Sequence, residues 1–377
     1  MKIIITVDTY FPFKDGVQNI TQSYAEHLAK IGNEVIVVTT NNNLNEEEIV
    51  NGVKVYRFKI ITKLGFHFGE INKYQKFILC ISKNADLLIN VCTQSATTDS
   101  IYKIINNINC KKILYMHGKY DKNIKMNTLL KVWYNIRWGY YYLKNKSILR
   151  IYENVINIHS MDSATKYLQD IGIQKIKIIN NFVEKDILNN KNNDDSFKYF
   201  LCVSNYSKLK NQEFIIKSYY LSQSKNSYKL IFIGGNSNRY LERLIKINNY
   251  YSKKYNFPNS NVIFLTNISR KETKEYICNS SVFLLGSKVE KVPLVLLEAS
   301  YCGIPFISTD VGCIRYLPGG ISVDNIYEMS YWIDILCNND KLYKNISKTL
   351  KEYSNDNYSF EKSFSKLNEI LTNNKGE

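Results

Sequence analysis

The residues best suited to chemistry lie in SKVEKVPLVLLEASYCGIPFISTDVG, positions 287 to 312, where two carboxylates, Glu290 and Glu298, stand eight positions apart. Glu290 follows a β-branched run and sits in a loop, whereas Glu298 falls inside an apolar stretch that starts near Pro293. Proline suits the first position of a helix, and the free amides of that first turn make a positive end fit for a phosphate. Leu294, Val295, Leu296, Leu297 and Ala299 surround Glu298, so a solvated face is scarce and its carboxylate needs a partner. Ribose hydroxyls would satisfy it.

Three other segments carry candidate chemistry. In SNYSKLKNQEFIIKSYY (204 to 220), Lys208 and Lys210 fall between a strand and a helix. Solvated lysines on a helix cap are the plain reading of that position. In TYFPFKDGVQN (9 to 19), Gly16 opens a helix after the first strand, where a missing side chain lets a ligand approach the backbone; an ordinary turn is the competing reading. In YMHGKYD (115 to 121), His117 ends a strand at the edge where α/β sheets bind ligands, although a lone histidine is commonly structural.

The elements that must hold these groups are legible as alternation. KIIITV (2 to 7), EVIVVT (34 to 39), KVYRF (54 to 58), DLLINV (86 to 91), KILYM (112 to 116) and NVINI (154 to 158) recur with amphipathic stretches between them, the pattern of a parallel sheet covered by helices. Val17, Ile20, Tyr24 and Leu28 share one helical face, and Gly32 stops that helix. The polar run NNKNNDDS (189 to 196) breaks the pattern and reads as a linker. Alternation restarts with YFLCVS (199 to 204), KLIFIGG (229 to 235), NVIFL (261 to 265), SVFLL (281 to 285) and IPFIS (304 to 308). The expected architecture is α/β, with two tandem Rossmann-like, doubly wound domains around a shared cleft: 1–188, the linker 189–196, 197–355, and a terminal helix in 356–377. Phe360, Phe364, Leu367 and Leu371 form the apolar stripe of that helix.

At 377 residues and 45% hydrophobic content the chain has ample core for two domains. Lys and Arg number 50 against 34 acids, a net charge of +16 that favours anionic partners. Residues 111–150 hold ten of the basic residues and a single acid, Asp121. Within them Leu129, Trp133, Ile136, Tyr140 and Leu143 recur at helical spacing, while Lys131, Arg137, Trp138 and Tyr142 lie off that stripe. Residues 119–150 therefore fit either an amphipathic helix resting on an anionic membrane or a core helix with a solvated basic back. Nucleic acid ranks last, since no RNA- or DNA-binding signature accompanies the charge.

The eight cysteines (80, 92, 110, 202, 278, 302, 313 and 337) form no C-x-x-C pair and read as reduced, buried thiols of a cytoplasmic protein. His27, His67, His117 and His159 make no zinc-ligand pattern, so no metal is expected. No apolar run reaches a membrane-spanning length, and Asp8 interrupts the amino-terminal one too early for a signal peptide.

The setting E-K-V-P-L-V-L-L-E-A followed by C-G-I-P-F-I-S-T-D-V-G resembles the retaining glycosyltransferases of family 4. That resemblance implies a GT-B fold in which Glu290 contacts the donor sugar and Glu298 holds the nucleotide ribose. It also implies that Lys210 neutralises donor phosphates, that His117 bonds the donor hexose, and that Gly16 lies in the family's glycine loop. Asn205 stands where the family has arginine, with Lys208 nearby as a substitute. Lys291 and Val292 stand where the family has Gly-Phe, and Lys291 is either a diphosphate contact or a solvated loop residue. Asp15 replaces the first glycine. No D-x-D motif is present, in keeping with metal-independent phosphate binding. The function implied is transfer of a hexose from a nucleotide diphosphate sugar to a glycan or lipid-linked acceptor. The setting implied is bacterial surface polysaccharide synthesis at the inner membrane face, without a cofactor. A non-catalytic nucleotide-sugar partner and a sugar-nucleotide epimerase are the alternatives.

Overall fold

A computed structural model describes residues 1–13, 15–41, 43–118, 128–190 and 197–372. The chain divides into two compact units, 1–180 together with 366–377, and 181–365. Most of the expected linker lies outside the described residues. Residues 181–188 belong to the second unit rather than the first: Val183 bridges to Ser359, and the Lys274 ammonium meets the carboxylates of Glu184 and Asp186, each at 2.7 Å. Lys274 is buried, so these carboxylates supply the pairing that its desolvated charge requires.

Among the described residues the amino-terminal unit has ten strands: β1 (Lys2–Thr6), β2 (Glu34–Thr40), β3 (Glu47–Val50), β4 (Val53–Phe58), β5 (Ile60–Lys63), β6 (Phe66–Gly69), β7 (Leu87–Val91), β8 (Lys111–Tyr115), β9 (Asn154–Asn157) and β10 (Ile176–Ile178). Eight form one sheet in the order β10-β9-β8-β7-β1-β2-β4-β3, while β5 and β6 form a separate antiparallel hairpin. Only β3 runs antiparallel in the large sheet, pairing with β4 at the edge. Its EEIV sequence carries no buried run, which is why it is silent in the pattern. The central strands are buried on both faces, and Ile3, Ile4, Val37 and Leu88 pack where helices cover the sheet. Ile20, Tyr24 and Leu28 seal the helix Gly16–Lys30 onto it.

The carboxyl-terminal part of the stripe that the sequence presents on the helix Thr128–Lys144 faces outward. Ile136, Tyr140 and Leu143 are exposed, whereas Trp138, Tyr141 and Tyr142 are buried. The inner face prevails because its phenols find partners: Tyr142 meets the Thr93 hydroxyl at 3.1 Å, and Tyr141 accepts from the Gln94 amide at 3.0 Å. Residues 119–127 of the expected membrane segment lie outside the described residues.

The second unit contains β11 (Tyr199–Val203), β12 (Lys229–Gly234), β13 (Val262–Thr266), β14 (Val282–Leu285), β15 (Phe306–Thr309) and β16 (Gly320–Val323), all parallel, in the order β13-β12-β11-β14-β15-β16. Counted within the unit this is 3-2-1-4-5-6, the Rossmann order, whose switch point lies between β11 and β14. Phe200, Phe232, Leu284 and Ile307 fill its core. The cysteines do not all remain thiols, since Cys278 and Cys302 form a disulfide with Cα atoms 5.3 Å apart. Each ends a helix, Arg270–Cys278 and Leu294–Cys302, and these helices pack together, a proximity that a separation of 24 residues does not announce. The terminal helix Phe360–Thr372 has Leu367 and Leu371 buried, and Phe360 packs on Phe182 with ring centroids 4.8 Å apart.

Candidate functional site

Two loops leave the sheet of the second unit at its switch point, 204–211 after β11 and 286–293 after β14. The Lys288 amide donates to the Leu209 carbonyl at 2.7 Å, and the Asn211 side-chain amide donates to Gly286 O at 3.1 Å. Across this seam the Lys210 ammonium reaches Glu290 Oε1 at 2.6 Å. Glu290 keeps little solvent contact while Lys210 remains about a third exposed. The pair thus presents an ammonium at the surface of a largely shielded carboxylate, the order needed to meet an anion from outside.

The Glu290 loop is held from below by the loop after β15. The Cys313 amide donates to Lys291 O at 3.0 Å, and the Thr309 hydroxyl donates to Ser287 O. Gly312 makes this approach possible: its φ is +60°, and a Cβ there would lie 2.3 Å from Glu290 O and 2.7 Å from Lys291 O. Val292 is buried and anchors the loop, and Lys291 is half-buried. Pro293 sits just before the helix Leu294–Cys302, its carbonyl accepting from the Leu296 amide at 3.0 Å.

Glu298 is buried one turn into that helix, and the partner its burial demands is Arg270. Both guanidinium NH2 groups bond the carboxylate, one at 3.2 Å, in a fork-to-fork arrangement. Burial works against the charge on Arg270, but Glu298 offsets it and the guanidinium pKa is raised. Arg270 opens its own helix behind a capping box formed by Ser269 and Glu272. Sequence reasoning passed it over; the S-R-K-E capping pattern marks the helix start, but nothing in it announces the carboxylate across the way.

Asn205 is exposed on the first loop, its carbonyl accepting from Gln212 Nε2 at 3.0 Å, and Lys208 is exposed on the following turn. Gly234 and Gly235, at the end of β12, lie against this loop; a Cβ on Gly234 would strike the Tyr206 ring at 2.4 Å.

The amino-terminal unit holds the other two candidates. Gly16 is the first residue of its helix, and Asp15 caps it, accepting from the Gln18 amide at 2.8 Å. A carboxylate of the chain itself therefore satisfies that amide. His117 follows β8, stacks on Tyr115 with centroids 4.8 Å apart, and its Nε2 is shielded and without a hydrogen-bond partner. Burial pushes its pKa down to about 4, with the Asp15 charge pulling the other way. The imidazole is thus neutral at pH 7 and able to share a hydrogen bond with an uncharged hydroxyl. Among the described residues no cluster of His, Cys, Asp and Glu could hold a metal ion, and no helix is long and apolar enough to cross a membrane.

Residues 183–317 match the family model described as Glycosyl transferases group 1. Alpha-1,3/1,6-mannosyltransferase ALG2 of Kluyveromyces lactis is 31% identical over 157 residues, covering 34% of this chain. The chain spans 30% of that curated relative's length. A glycosyltransferase from Rickettsia africae aligns over 99% of this chain and 98% of its own with a TM-score of 0.74 at 17% identity. Anabaena Alr3699/HepE in complex with UDP-glucose aligns over 99% and 100% with a TM-score of 0.71 at 14% identity. The fold is therefore that of GT-B glycosyltransferases, and the segment holding Lys210, Arg270, Glu290 and Glu298 matches the Glycosyl transferases group 1 family.

Proposed function

We propose that this chain is a retaining, metal-independent glycosyltransferase of family 4 that moves a hexose from a nucleotide diphosphate sugar to a glycan or lipid-linked acceptor. The observation that carries the reading is the placement of the Lys210–Glu290 pair and the buried Glu298 at the switch point of a Rossmann sheet. In this reading Lys210 stabilises the negative charge that grows on the departing diphosphate, together with amides at the start of Leu294–Cys302. Glu298 accepts from ribose hydroxyls on the oxygen lone pairs that Arg270 leaves open. Glu290 orients the sugar, and neutral His117 bonds one of its hydroxyls. The new glycosidic bond forms on the face from which the nucleotide leaves, so the acceptor proton passes to the leaving phosphate and configuration is kept. The UDP-glucose complex of the Anabaena structure supports a nucleotide-sugar donor, and the mannosyltransferase name of the curated relative supports transfer of a hexose. The setting we infer is bacterial surface polysaccharide synthesis at the inner membrane face.

The test is a thermal-shift panel of UDP, GDP and ADP on the wild type and Glu298→Ala, followed by release of the nucleotide with candidate acceptors. One base should raise the melting temperature, and the variant should lose at least about tenfold in affinity for it, the equivalent of a single good charged hydrogen bond. A shift that survives in the variant removes the ribose assignment. Asn205 favours a second reading, a nucleotide-sugar binder without turnover, because its uncharged and exposed amide stands where the family has arginine. That reading predicts binding and no nucleotide release with any acceptor.

A further inference from the structure

The helices Arg270–Cys278 and Leu294–Cys302 are joined at two points, both within the second unit. At the amino end of the first, Arg270 reaches across to Glu298. At its carboxyl end, Cys278 is bonded to Cys302. Glu298 and Cys302 stand four positions apart, so they share one face of their helix, about 6 Å apart along its axis. The covalent tie and the carboxylate that we assign to ribose are therefore separated by a single turn.

A reduced pair fits the same surroundings. Cys278 Sγ lies 3.2 Å from Ile187 O, so a thiol there finds an acceptor as soon as the bond opens. Ile187 is itself held beside this helix, because the neighbouring Glu184 and Asp186 meet the Lys274 ammonium. Without the bond, the long and partly exposed Arg270 side chain is left to keep Glu298 in register with the neighbouring helix. The helix Leu294–Cys302 has nine residues, so a shift at its carboxyl end carries Glu298 with it.

We infer that Cys278 and Cys302 are positioning residues for the donor: their bond, formed and broken by exchange with a small disulfide such as oxidised glutathione, sets how tightly the nucleotide is held through Glu298. As the S–S bond forms, the two thiols give up two electrons and two protons, and the disulfide of the oxidant is cleaved to two thiols that take them up. Oxidised, the chain presents the Glu298 oxygens in a fixed place, and little ordering remains for binding to impose. Reduced, each nucleotide bound has to order the helix end again. Both sulfurs are buried, so exchange waits on an opening of the helix ends and is slow. The inference rests on the ribose role of Glu298 proposed above.

The full-length chain can be brought to equilibrium in reduced and in oxidised glutathione. A sample of each form is then alkylated in urea to locate free thiols by mass spectrometry, and the remainder is titrated calorimetrically with UDP, GDP and ADP. After oxidation Cys278 and Cys302 should escape alkylation, and the oxidised form should bind its nucleotide about threefold to tenfold more tightly than the reduced form. Cys302→Ser should bind as the reduced form does under both conditions, and Cys337→Ser should keep the full dependence. The two wild-type forms give the contrast by themselves, whether or not the Cys302 variant folds. Glu298→Ala should bind weakly and equally in both forms. Equal affinity of the two wild-type forms, with Glu298→Ala still weaker, would overturn the inference and leave the ribose role standing, as would alkylation of both cysteines after oxidation. An unchanged affinity in Glu298→Ala would remove the ribose role and the inference with it.

Discussion

His117 shows how one residue's surroundings set its chemistry. Its unperturbed pKa of 6.5 is pushed down to about 4, so between these values the unfolded chain takes up a proton that the folded site refuses. Stability is untouched by this group at neutral pH and falls as pH drops through 6.5 toward 4. At about pH 5 the cost is about 2 kcal/mol. Urea unfolding of His117→Asn should therefore lose less stability between pH 7 and pH 5 than the wild type; an unchanged difference would mean that the imidazole titrates freely. Glu298 makes the complementary case. Its burial was legible from the apolar residues beside it, yet its partner is a guanidinium from another helix, invisible to any argument from spacing.

The elements around the candidate site work as a stack of loops. Gly312 lets the loop after β15 pass directly beneath Glu290 and Lys291, and no larger residue fits without moving their carbonyls. Gly312→Ala should cost about 1–3 kcal/mol, because strain at a positive φ adds to a backbone clash. Thermal unfolding checks the stability, and nucleotide titration of the same variant should show weakened binding if the Glu290 loop shifts. The central strands were readable because a parallel sheet buries both faces and writes itself as β-branched runs. β3, β10 and β16 were not, being three or four residues long and partly exposed. The β5–β6 hairpin was missed because its exposed apolar residues imitate neither a buried strand nor a solvated loop.

For the whole molecule, the +16 charge gives long-range attraction to anionic surfaces that salt weakens. Sedimentation with phosphatidylglycerol-containing vesicles tests the inner-membrane setting proposed above: binding should fall steeply from about 0.1 M to about 1 M salt, as the screening length contracts from about 10 Å to about 3 Å. Binding that persists at the upper value would assign the affinity to the apolar groups alone, and the sedimentation series measures both arms. The division into units follows the same physics at larger scale. The boundary lies at Asn181, not within the polar run, because Val183, Glu184 and Asp186 find partners in the second unit.

The sequence by itself determined the α/β class, the two sets of parallel strands and the loops in which Lys210, Glu290 and His117 sit, because burial on both faces and strand-to-loop transitions leave local periodic traces. Tertiary structure alone decided the Lys210–Glu290 pairing, the Arg270 lock on Glu298, the Cys278–Cys302 disulfide and the outward turn of Ile136, Tyr140 and Leu143. Each of these joins residues distant in the chain or chooses between two helix faces of similar apolarity. That choice is made by which side chains find partners across the fold, and no local pattern encodes it.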